Sequence, residues 1–500
     1  MPDPLTLVGN PQACLIDGAW SDGESSARID LRDPATEEPL AAFPEASVEQ
    51  ARAAVASSRR AFDQGAWAGF GPEDRSRVLH QIADLLEARA DEYADLVVAE
   101  IGCPVRLSRG LQVGASIECL RFFAGAAARG PRGGYEEALP LHEVPILSAS
   151  LLRREAAGVV AAITAYNYPL LLLARKLGGA LAAGCTEIVV PSPRAPISTM
   201  ALLRDMEQLD LPPGVVNFVA GGIDVAKELT TNPDVDMVSF TGSLEVGRAV
   251  MAQAAGTVKK VVLELGGKSP NIVLPGVDFE TAVGPSSLRF LLNTGQGCGA
   301  TTRTLVPAGD YDEWVDRSQQ FFSTVKVGDP RDPDTDVGPL IAASQRDRVQ
   351  GYVDRALEGG AVIAARQDSP RDRGYFFDPT LVGSVDNDAE ISQEELFGPV
   401  GVVIPFDDLE EALTLANRTR FSLNANVWGP ADDAIRLARR IRSGTVTING
   451  GGGMRQDVPW GGPGSSGIGR EAGEEGFGEY LEVKHVQWPL AGTTKPFGAD

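Results

Sequence analysis

Apolar residues in the first part of the chain recur three or four positions apart, the spacing of one face of a helix. Ser47 and Gln50 fit a capping box, which predicts a helix through about Phe62. Pro72 suits the first turn of a second helical stretch, and Gly102 suits a helix end. The first 130 residues are therefore predicted to be mainly helical.

The pattern changes after Gly158, where short apolar runs rich in β-branched residues alternate with helical stretches. The predicted strands of this first series are 159–163, 187–190, 215–219, 237–240 and 261–265. A second series begins near Asn271 and continues with 302–306, 400–404 and 445–448. Such alternation predicts parallel sheets covered by helices on both faces, and so an α/β protein with two main units.

Two further segments alternate between polar and apolar positions. Residues 135–153 follow the breaker cluster RGPRGG and are predicted to form a projecting hairpin. The tail 479–486, EYLEVKHV, could pair with that hairpin or with another subunit. Both segments are candidate subunit contacts, and we expect a homodimer or a homotetramer.

Composition excludes several classes of function. A chain of 500 residues is long enough for two or three domains, and its formal charge of -23 opposes binding to nucleic acid or to an anionic membrane. Its longest apolar runs are shorter than the roughly 20 residues that span a bilayer. Residues 1–20 do not resemble a secretory signal, and five cysteines without paired spacing indicate reduced thiols. We expect a cytoplasmic protein with no metal site, because only three histidines are present.

Cys298 lies between two glycines in FLLNTGQGCGATT, residues 290–302. A cysteine on such a tight turn of small residues would be exposed and could act as a nucleophile. The alternative is a small buried side chain that only fills space, which is the common role of a free cysteine. We assign that second role to the other cysteines, Cys14, Cys103, Cys119 and Cys185.

Three other segments place polar groups at predicted strand ends, where α/β folds hold their chemistry. Glu264 ends a strand in VLELGGKSPN and is either a general base or a solvated carboxylate. Asn167, in TAYNYP, could donate a hydrogen bond into a cleft or serve only in its turn. The segment FTGSLEVG, 240–247, is either a pyrophosphate site or an ordinary β–α turn, since it lacks the G-x-G-x-x-G spacing.

Taken together, these motifs resemble the aldehyde dehydrogenase superfamily. ELGGKSP is followed by GQGC, then by EELFGPV, then by PWGG with SGIGREAG, in the order and separation of that family. The resemblance implies an α/β fold with a Rossmann-like cofactor domain, a catalytic α/β domain and a small oligomerisation sheet. It implies a dinucleotide-binding domain of residues 1–133 and 154–261, a catalytic domain of residues 262–477, and oligomerisation segments 134–153 and 478–500.

The resemblance also implies roles for single residues in the oxidation of an aldehyde to its acid. Cys298 is expected to be the nucleophile, Glu264 the general base, and Asn167 with the Cys298 backbone N–H the oxyanion hole. Lys176 and Glu471 are expected to help polarise the thiolate and relay the proton. Intact Glu264 favours hydrolysis of the thioester over transfer to coenzyme A, and the intact catalytic set argues against a catalytically silent relative.

The cofactor implied by the resemblance is NAD or NADP. Its pyrophosphate is expected at Gly242 and Ser243, with Gly247 in the same turn. Glu395 is expected at the nicotinamide ribose, although on its own it could be a surface charge. The residues expected around the nicotinamide are Phe397, Tyr166 and Leu265.

Several positions depart from the family pattern. Val190 and Pro193, in IVVPSPRAP, stand where a Lys and often a Glu contact the adenosine ribose. We therefore expect looser NAD binding and acceptance of NADP, which Arg194 could assist. Other departures, which bear on cofactor affinity and substrate scope, are Tyr166, Gly297, Trp460 and Gly464.

The aldehyde tunnel implied by the resemblance is mostly apolar, which favours a bulky hydrophobic or aromatic aldehyde. Arg175 leaves a second possibility open. It could pair with a carboxylate of a semialdehyde substrate, or it could simply face water as most helical arginines do. The residues expected around the tunnel are Leu111, Ala115, Tyr168, Leu172, Arg175, Gly297, Gly299, Met454 and Trp460.

Overall fold

The structure is a computed structural model that describes residues 4–67, 69–143, 147–369 and 371–490. Its strands are β1 Cys14–Ile16, β2 Ala19–Ser21, β3 Arg28–Arg32, β4 Pro39–Pro44, β5 Glu136–Ala138, β6 Ser148–Ala156, β7 Val159–Ile163, β8 Thr186–Val190, β9 Val216–Val219, β10 Met237–Thr241, β11 Lys260–Glu264, β12 Pro270–Val273, β13 Arg303–Pro307, β14 Val362–Arg366, β15 Thr380–Gly383, β16 Val400–Phe406, β17 Asn424–Trp428, β18 Thr445–Ile448, β19 Gly467–Ile468 and β20 Leu481–Pro489.

Helices separate most of these strands. They are α1 Val48–Asp63, α2 Pro72–Ala88, α3 Ala90–Ile101, α4 Val105–Leu107, α5 Ala115–Arg129, α6 Pro169–Ala183, α7 Ile197–Asp205, α8 Ile223–Thr231, α9 Leu244–Ala254, α10 Phe279–Leu291, α11 Tyr311–Phe322, α12 Ala343–Glu358, α13 Glu390–Gln393, α14 Leu409–Asn417, α15 Ala431–Ala438 and α16 Gly473–Glu479. A π-helical stretch, Ser108–Gly114, joins α4 to α5.

The helix ends predicted from the sequence are confirmed. Ser47 caps α1, and its side chain and that of Gln50 form both hydrogen bonds of a capping box. Pro72 begins α2, where its missing N–H costs nothing. Gly102 ends α3 with φ +72°, a left-handed conformation that suits glycine. The expectation of a mainly helical first part is wrong for residues 14–44, which form the four short strands β1 to β4.

The first sheet has eight strands in the order β19-β11-β10-β7-β8-β9-β1-β2. The five strands from β11 to β9 run parallel, as the sequence predicts, and both outer additions are antiparallel. Every residue of β7, β8 and β10 is buried. Helix α1 covers one face, where Ser58 contacts Asn217, and α6 covers the other, where Lys176 contacts Ser239.

The second sheet has seven strands in the order β14-β15-β16-β13-β12-β17-β18, all parallel except β14. A third, antiparallel sheet has the order β20-β6-β5. Of the two partners left open for the tail, the hairpin is the one observed, because β20 pairs with β6 along its whole length. Residues 144–146 of the hairpin and 491–500 of the expected oligomerisation tail lie outside the described residues.

Parallel strands bring the segments that follow them to one edge of a sheet. At the edge of the first sheet, the turn after β7 carries Asn167, the turn after β10 carries Gly242, and β11 ends on Glu264. The chain then crosses into the second sheet through β12, and Cys298 precedes β13. The candidate groups therefore meet where the two sheets adjoin. Within the described ranges, no helix is long and apolar enough to cross a membrane.

Candidate active site

The turn that carries Cys298 has a strained backbone. Asn293 and Thr294 lie in the left-handed region with φ +50° and +56°, which few residues other than glycine adopt. Gly295, at φ +72°, packs so closely on the Gly398 carbonyl that no side chain could be accommodated. Residues held in such conformations cluster at functional sites, because the surrounding structure must fix them.

Cys298 differs from the other cysteines in its exposure. Part of its surface is accessible, whereas the other four are buried as expected: Cys14, Cys103, Cys119 and Cys185. Burial of the thiol and the nearby carboxylate of Glu264 raise the pKa of Cys298 to about 12, and Arg175 opposes this shift. The resting group is therefore a thiol, and its attack on an aldehyde requires a proton acceptor close by.

Asn167 is joined directly to the nucleophile turn. Its Nδ2 donates to the Gln296 carbonyl oxygen at 3.0 Å, and its own carbonyl oxygen accepts from Asn293 Nδ2 at 2.9 Å. Gln112 Nε2 donates to the same carbonyl at 3.0 Å. A carboxamide carries two N–H groups, so one donor of Asn167 remains for a ligand.

Glu264 is a buried carboxyl group, 2 % exposed, and neither of its oxygens accepts a hydrogen bond from any described residue. Burial raises its pKa well above the usual value, and Glu471 adds to the shift while Lys176 and Arg175 oppose it. Gly461 packs against this carboxyl so closely that a side chain there would overlap it. Because burial excludes a solvated surface carboxylate, the arrangement fits a general base with a raised pKa.

Lys176 and Glu471 form a buried ion pair beside Glu264. Lys176 Nζ also lies 3.1 Å from Ser239 Oγ, and Thr241 Oγ1 lies 3.5 Å from a Glu471 oxygen. Tyr480 completes the cluster, with its hydroxyl 3.2 Å from Ser239 Oγ. Charges buried in this way must be paired, and together they form a polar network that leads away from Glu264.

Glu395 is half-buried, so it is not an open surface charge. One of its oxygens accepts the Gly267 N–H at 3.1 Å, and Gly266 packs directly against the carboxyl. Burial raises the pKa of Glu395 to about 7 despite that hydrogen bond. Phe397 has φ +61° and meets the Tyr166 ring edge to face at 5.9 Å. These residues surround the space next to the nucleophile turn and fit the nicotinamide end of a dinucleotide.

The turn after β10 fits a pyrophosphate. Ser243 caps α9, and its Oγ accepts the Val246 N–H at 3.3 Å. A Cβ on Gly247 would lie 2.5 Å from the Leu265 side chain, and one on Gly242 would overlap the Phe240 ring. Small residues thus keep the helix start open, where first-turn N–H groups without helical acceptors can meet an anion.

Residues 190–194 contain two positions, Val190 and Pro193, that depart from the family pattern. Val190 is 2 % exposed and its carbonyl accepts the Thr164 N–H at 3.0 Å, so this position offers no side-chain donor. Pro193 is exposed. The Arg194 guanidinium lies 5.6 Å from the centre of the Tyr166 ring, so it stacks on the expected cofactor site.

Arg175 is 3 % exposed, so the expectation that it might face water is wrong. Helix α6 is apolar on every side and wholly buried, which places even its charged residues in the interior. Among the described residues, no carboxylate lies within ion-pair distance of the guanidinium. Its neighbours are Gln456 Oε1 at 3.4 Å, Met454 Sδ at 3.5 Å and the Trp460 ring at 5.4 Å.

Several of the expected tunnel residues meet near Cys298. A Cβ on Gly299 would lie 2.7 Å from the Trp460 ring, and one on Gly297 would lie 3.7 Å from the Tyr168 hydroxyl. The Tyr168 hydroxyl also interacts electrostatically with Cys298. Gly299 is therefore the small residue that leaves room for the Trp460 ring, whereas Gly297 is in ordinary contact range of Tyr168.

Two residues of the site were not assigned a role from the sequence. Gln296 links three segments, because its Oε1 accepts from the Tyr166 hydroxyl at 3.3 Å and from the Ile341 N–H at 3.0 Å, and its carbonyl binds Asn167. Gln456 holds Arg175. Gln296 stands in GQGC next to the nucleophile, and this position was a usable signal, whereas nothing in the sequence around Gln456 indicates its partner.

The chain belongs to the aldehyde dehydrogenase family, whose model matches residues 20–486. It is an enzyme that oxidises aldehydes with NAD or NADP as its cofactor. Among similar proteins is the geranial dehydrogenase of Castellaniella defragrans, 37 % identical over 478 residues, 95 % of this chain and 98 % of that protein. Another is the 3-succinoylsemialdehyde-pyridine dehydrogenase of a Pseudomonas species, 38 % identical over 477 residues, 94 % of this chain and 97 % of that protein.

Solved structures agree with this assignment. A betaine aldehyde dehydrogenase mutant of Staphylococcus aureus, crystallised with NAD⁺, superposes with a TM-score of 0.92 at 34 % identity, covering 96 % of this chain and 97 % of that one. The expected fold class, a Rossmann-like domain with a catalytic α/β domain, is therefore confirmed.

Proposed function

We propose that Cys298 attacks the aldehyde carbonyl and that Glu264 is the general base that activates water for hydrolysis of the thioester. The observation that carries this proposal is a buried carboxyl, without a hydrogen-bond partner among the described residues, that lies near a partly exposed thiol and raises its pKa. An aldehyde can give up hydride only after its carbonyl becomes tetrahedral, so a sulfur nucleophile must add first. The thiol proton passes to the buried pair of Lys176 and Glu471 as the S–C bond forms.

The oxyanion formed by this addition needs donors aimed at it. The second N–H of Asn167 and the backbone N–H of Cys298 are the groups that we assign to this role. Removal of one such donor typically costs about 3–4 kcal/mol of transition-state stabilisation. Gln296 and Asn293 hold the Asn167 backbone and amide, so the donor needs no reorganisation during the reaction.

The bound nicotinamide supplies the oxidant by accepting the hydride, which leaves a thioester on Cys298. Glu395, Phe397, Tyr166 and Leu265 would hold that end of the cofactor, and Gly242 and Ser243 its pyrophosphate. Glu264 then takes a proton from water, whose oxygen attacks the thioester. This yields the acid and restores the thiol. We assign Lys176 and Glu471 to carry the proton onward.

The walls of the tunnel support an aldehyde with a bulky apolar or aromatic body. Trp460 and Tyr168 lie against the two glycines that flank Cys298, and Met454 contacts Arg175, which itself lies over the Trp460 ring. A second candidate is an aldehyde that carries a carboxylate. Arg175 favours it, because a buried guanidinium without a carboxylate partner is costly unless an anion binds there.

The two substrate classes can be separated with Arg175→Met and, as a control that keeps the charge, Arg175→Lys. We expect Arg175→Met to lower kcat/KM for an aldehyde with a terminal carboxylate by about ten- to a hundredfold, the typical loss of a charged hydrogen bond. The matched aldehyde that ends in methyl should change less than about threefold. A parent that prefers the methyl-ended aldehyde supports the apolar class. Equal losses for both aldehydes would show that Arg175 acts on Cys298 and not on the substrate.

For the cofactor, we infer that NADP is used at a rate within about tenfold of NAD, because Val190 and Pro193 remove the groups that discriminate between them. Pro193→Glu should lower kcat/KM for NADP and change that for NAD little, since a carboxylate repels the additional phosphate. Arg194→Met, which removes the nearest cation, should lower NADP use as well. Strict NAD selectivity in the parent, or unchanged NADP use in Pro193→Glu, would show that this turn does not set the preference.

We also infer a homodimer or a homotetramer. The outer edge of β20 is unpaired among the residues that the structure describes, and Val483, Val486 and Trp488 of this strand are exposed. Open strand edges with apolar side chains are normally paired or covered. A light-scattering mass equal to the 52.8 kDa chain would contradict this assembly.

A further inference from the structure

Glu187 is a fully buried carboxyl group in the middle sheet strand β8, whose sequence is TEIVV. Neither of its oxygens accepts a hydrogen bond from any residue that the structure describes. It caps no helix and closes no turn. A buried carboxyl without donors destabilises a fold, so local structure gives no reason for a Glu where an apolar residue would pack better.

The sheet register places Glu187 on the face that carries the catalytic proton network. Glu187 of β8 is paired with Val160 of β7, and Val160 is paired with Met237 of β10. Ser239 lies two residues after Met237 on β10. Side chains two residues apart share a face, so Glu187 and Ser239 both lie under α6. Lys176 of that helix contacts Ser239, and the Tyr480 hydroxyl contacts the same serine.

Charge in this cluster is unbalanced. Lys176 is paired with Glu471 and also interacts electrostatically with Glu187 and Glu264. Burial raises the pKa of Glu187 to about 8, and the Lys176 ammonium is the group that opposes the shift. One ammonium thus lies among three buried carboxyls, of which Glu264 alone is also opposed by arginines, Arg175 and Arg470, so the ionisation of Glu187 and that of Glu264 depend on each other.

We propose that Glu187 is a positioning residue for the hydrolytic step, which acts through Lys176 to set the ionisation of Glu471 and Glu264. This inference rests on the roles assigned to those residues under the proposed function. When Glu264 takes a proton from water, that proton can move to Glu471. While Glu471 holds that proton, the Lys176 ammonium is no longer needed by its ion-pair partner and compensates the charge of Glu187 instead, so the cluster carries the additional proton without leaving a buried carboxylate uncompensated.

The sign of the effect follows from the groups around Glu187. They are Lys176 from α6, Cys185 directly before β8, and Tyr480 from the C-terminal part of the chain. An ionised Glu187 draws on the Lys176 charge and so raises the proton affinity of Glu264. A neutral side chain at position 187 leaves that charge to the other two carboxylates, and Glu264 should then ionise at lower pH.

The test is the pH dependence of thioester hydrolysis in Glu187→Gln and Glu187→Val, followed as single-turnover decay of the acyl-enzyme. Glu100→Gln is the matched control, because Glu100 is equally buried and its pKa is also raised by burial, but its oxygens accept the Ile197 and Ser198 N–H groups away from the network. We expect the acid limb to move at least about half a unit to lower pH in both Glu187 variants and to stay unchanged in Glu100→Gln.

Thermal unfolding supplies a second measurement. A carboxyl whose pKa is raised on folding costs stability as pH rises from its unfolded value through its folded value, here from 4.5 to about 8. Glu187→Val should therefore unfold at a higher temperature than the parent at pH 9 and show a flatter dependence on pH. An unmoved acid limb in both folded variants, or an equal shift in Glu100→Gln, would overturn the inference. If Glu264→Gln still hydrolyses its thioester normally, the proposed function itself fails.

Discussion

Replacing Cys298 by alanine is expected to lower aldehyde oxidation at least about a thousandfold and to leave dinucleotide binding almost unchanged. The thiol reacts with the aldehyde and does not contact the groups that we assign to the cofactor. Turnover is measured by absorbance of the reduced nicotinamide, and NAD binding is measured by calorimetric titration of the same protein. Cys14→Ala is the matched control, because Cys14 is buried in β1, which lies between β9 and β2 near one end of the first sheet.

Residual turnover above about a thousandth of the parent rate would contradict the assignment of Cys298, since removal of a nucleophile typically costs more than this. Loss of NAD binding in Cys298→Ala would instead indicate that the nucleophile turn has collapsed. That outcome is separable, because Asn293, Thr294 and Gly295 hold the turn through their own backbone conformations and do not depend on the thiol.

Local signals in the sequence were sufficient for most secondary structure. The capping box at Ser47, the proline at position 72 and the glycine at position 102 each act within one helical turn, and each prediction is confirmed. The strands at 14–44 were missed because they are three to six residues long and depend on distant partners. Strand β1 pairs with β9, about two hundred residues further along the chain.

Sequence motifs predicted which residues belong to the candidate site, but they did not predict which side chains contact one another. Cys298 and Glu264 could be found in short motifs because each stands beside glycines that the fold needs for close packing. The bond between Arg175 and Gln456 spans 281 residues, and no local pattern records such a contact. The burial of Arg175 could have been predicted from the sequence, since α6 is apolar on all sides and such helices lie in the protein interior.

Glu187 is a second residue whose role could not be predicted from the sequence. A buried strand is predicted from a run of mostly apolar residues, and TEIVV meets this criterion although it contains a glutamate. The charged exception inside a buried strand is the more informative feature, because the cost of burying it must be offset by a partner or a function. The register of β8 against β7, and of β7 against β10, places Glu187 on the same sheet face as Ser239, the residue that Lys176 contacts. No local sequence pattern indicates this proximity.

Replacing Glu264 by glutamine is expected to stop the reaction after the first hydride transfer. Glutamine has nearly the shape of glutamate but cannot accept a proton from water, so the thioester on Cys298 should persist. Rapid mixing with aldehyde and NAD should give a burst of reduced nicotinamide close to one equivalent per active site. The steady rate that follows should be lower than the parent's by about a hundred- to ten thousandfold. Glu100→Gln, an equally buried control, should show no burst.

The burst measures the role of Glu264 more directly than the loss of turnover does. Neither carboxyl oxygen accepts a hydrogen bond from the part of the chain that the structure describes, so the substitution breaks no hydrogen bond there, and its effect should lie in proton transfer alone. Added hydroxylamine, a nucleophile that needs no general base, should cleave the accumulated thioester and restore turnover. If no burst forms and hydroxylamine restores nothing, Glu264 is required before the thioester exists, and its part would be to accept the Cys298 proton rather than to activate water.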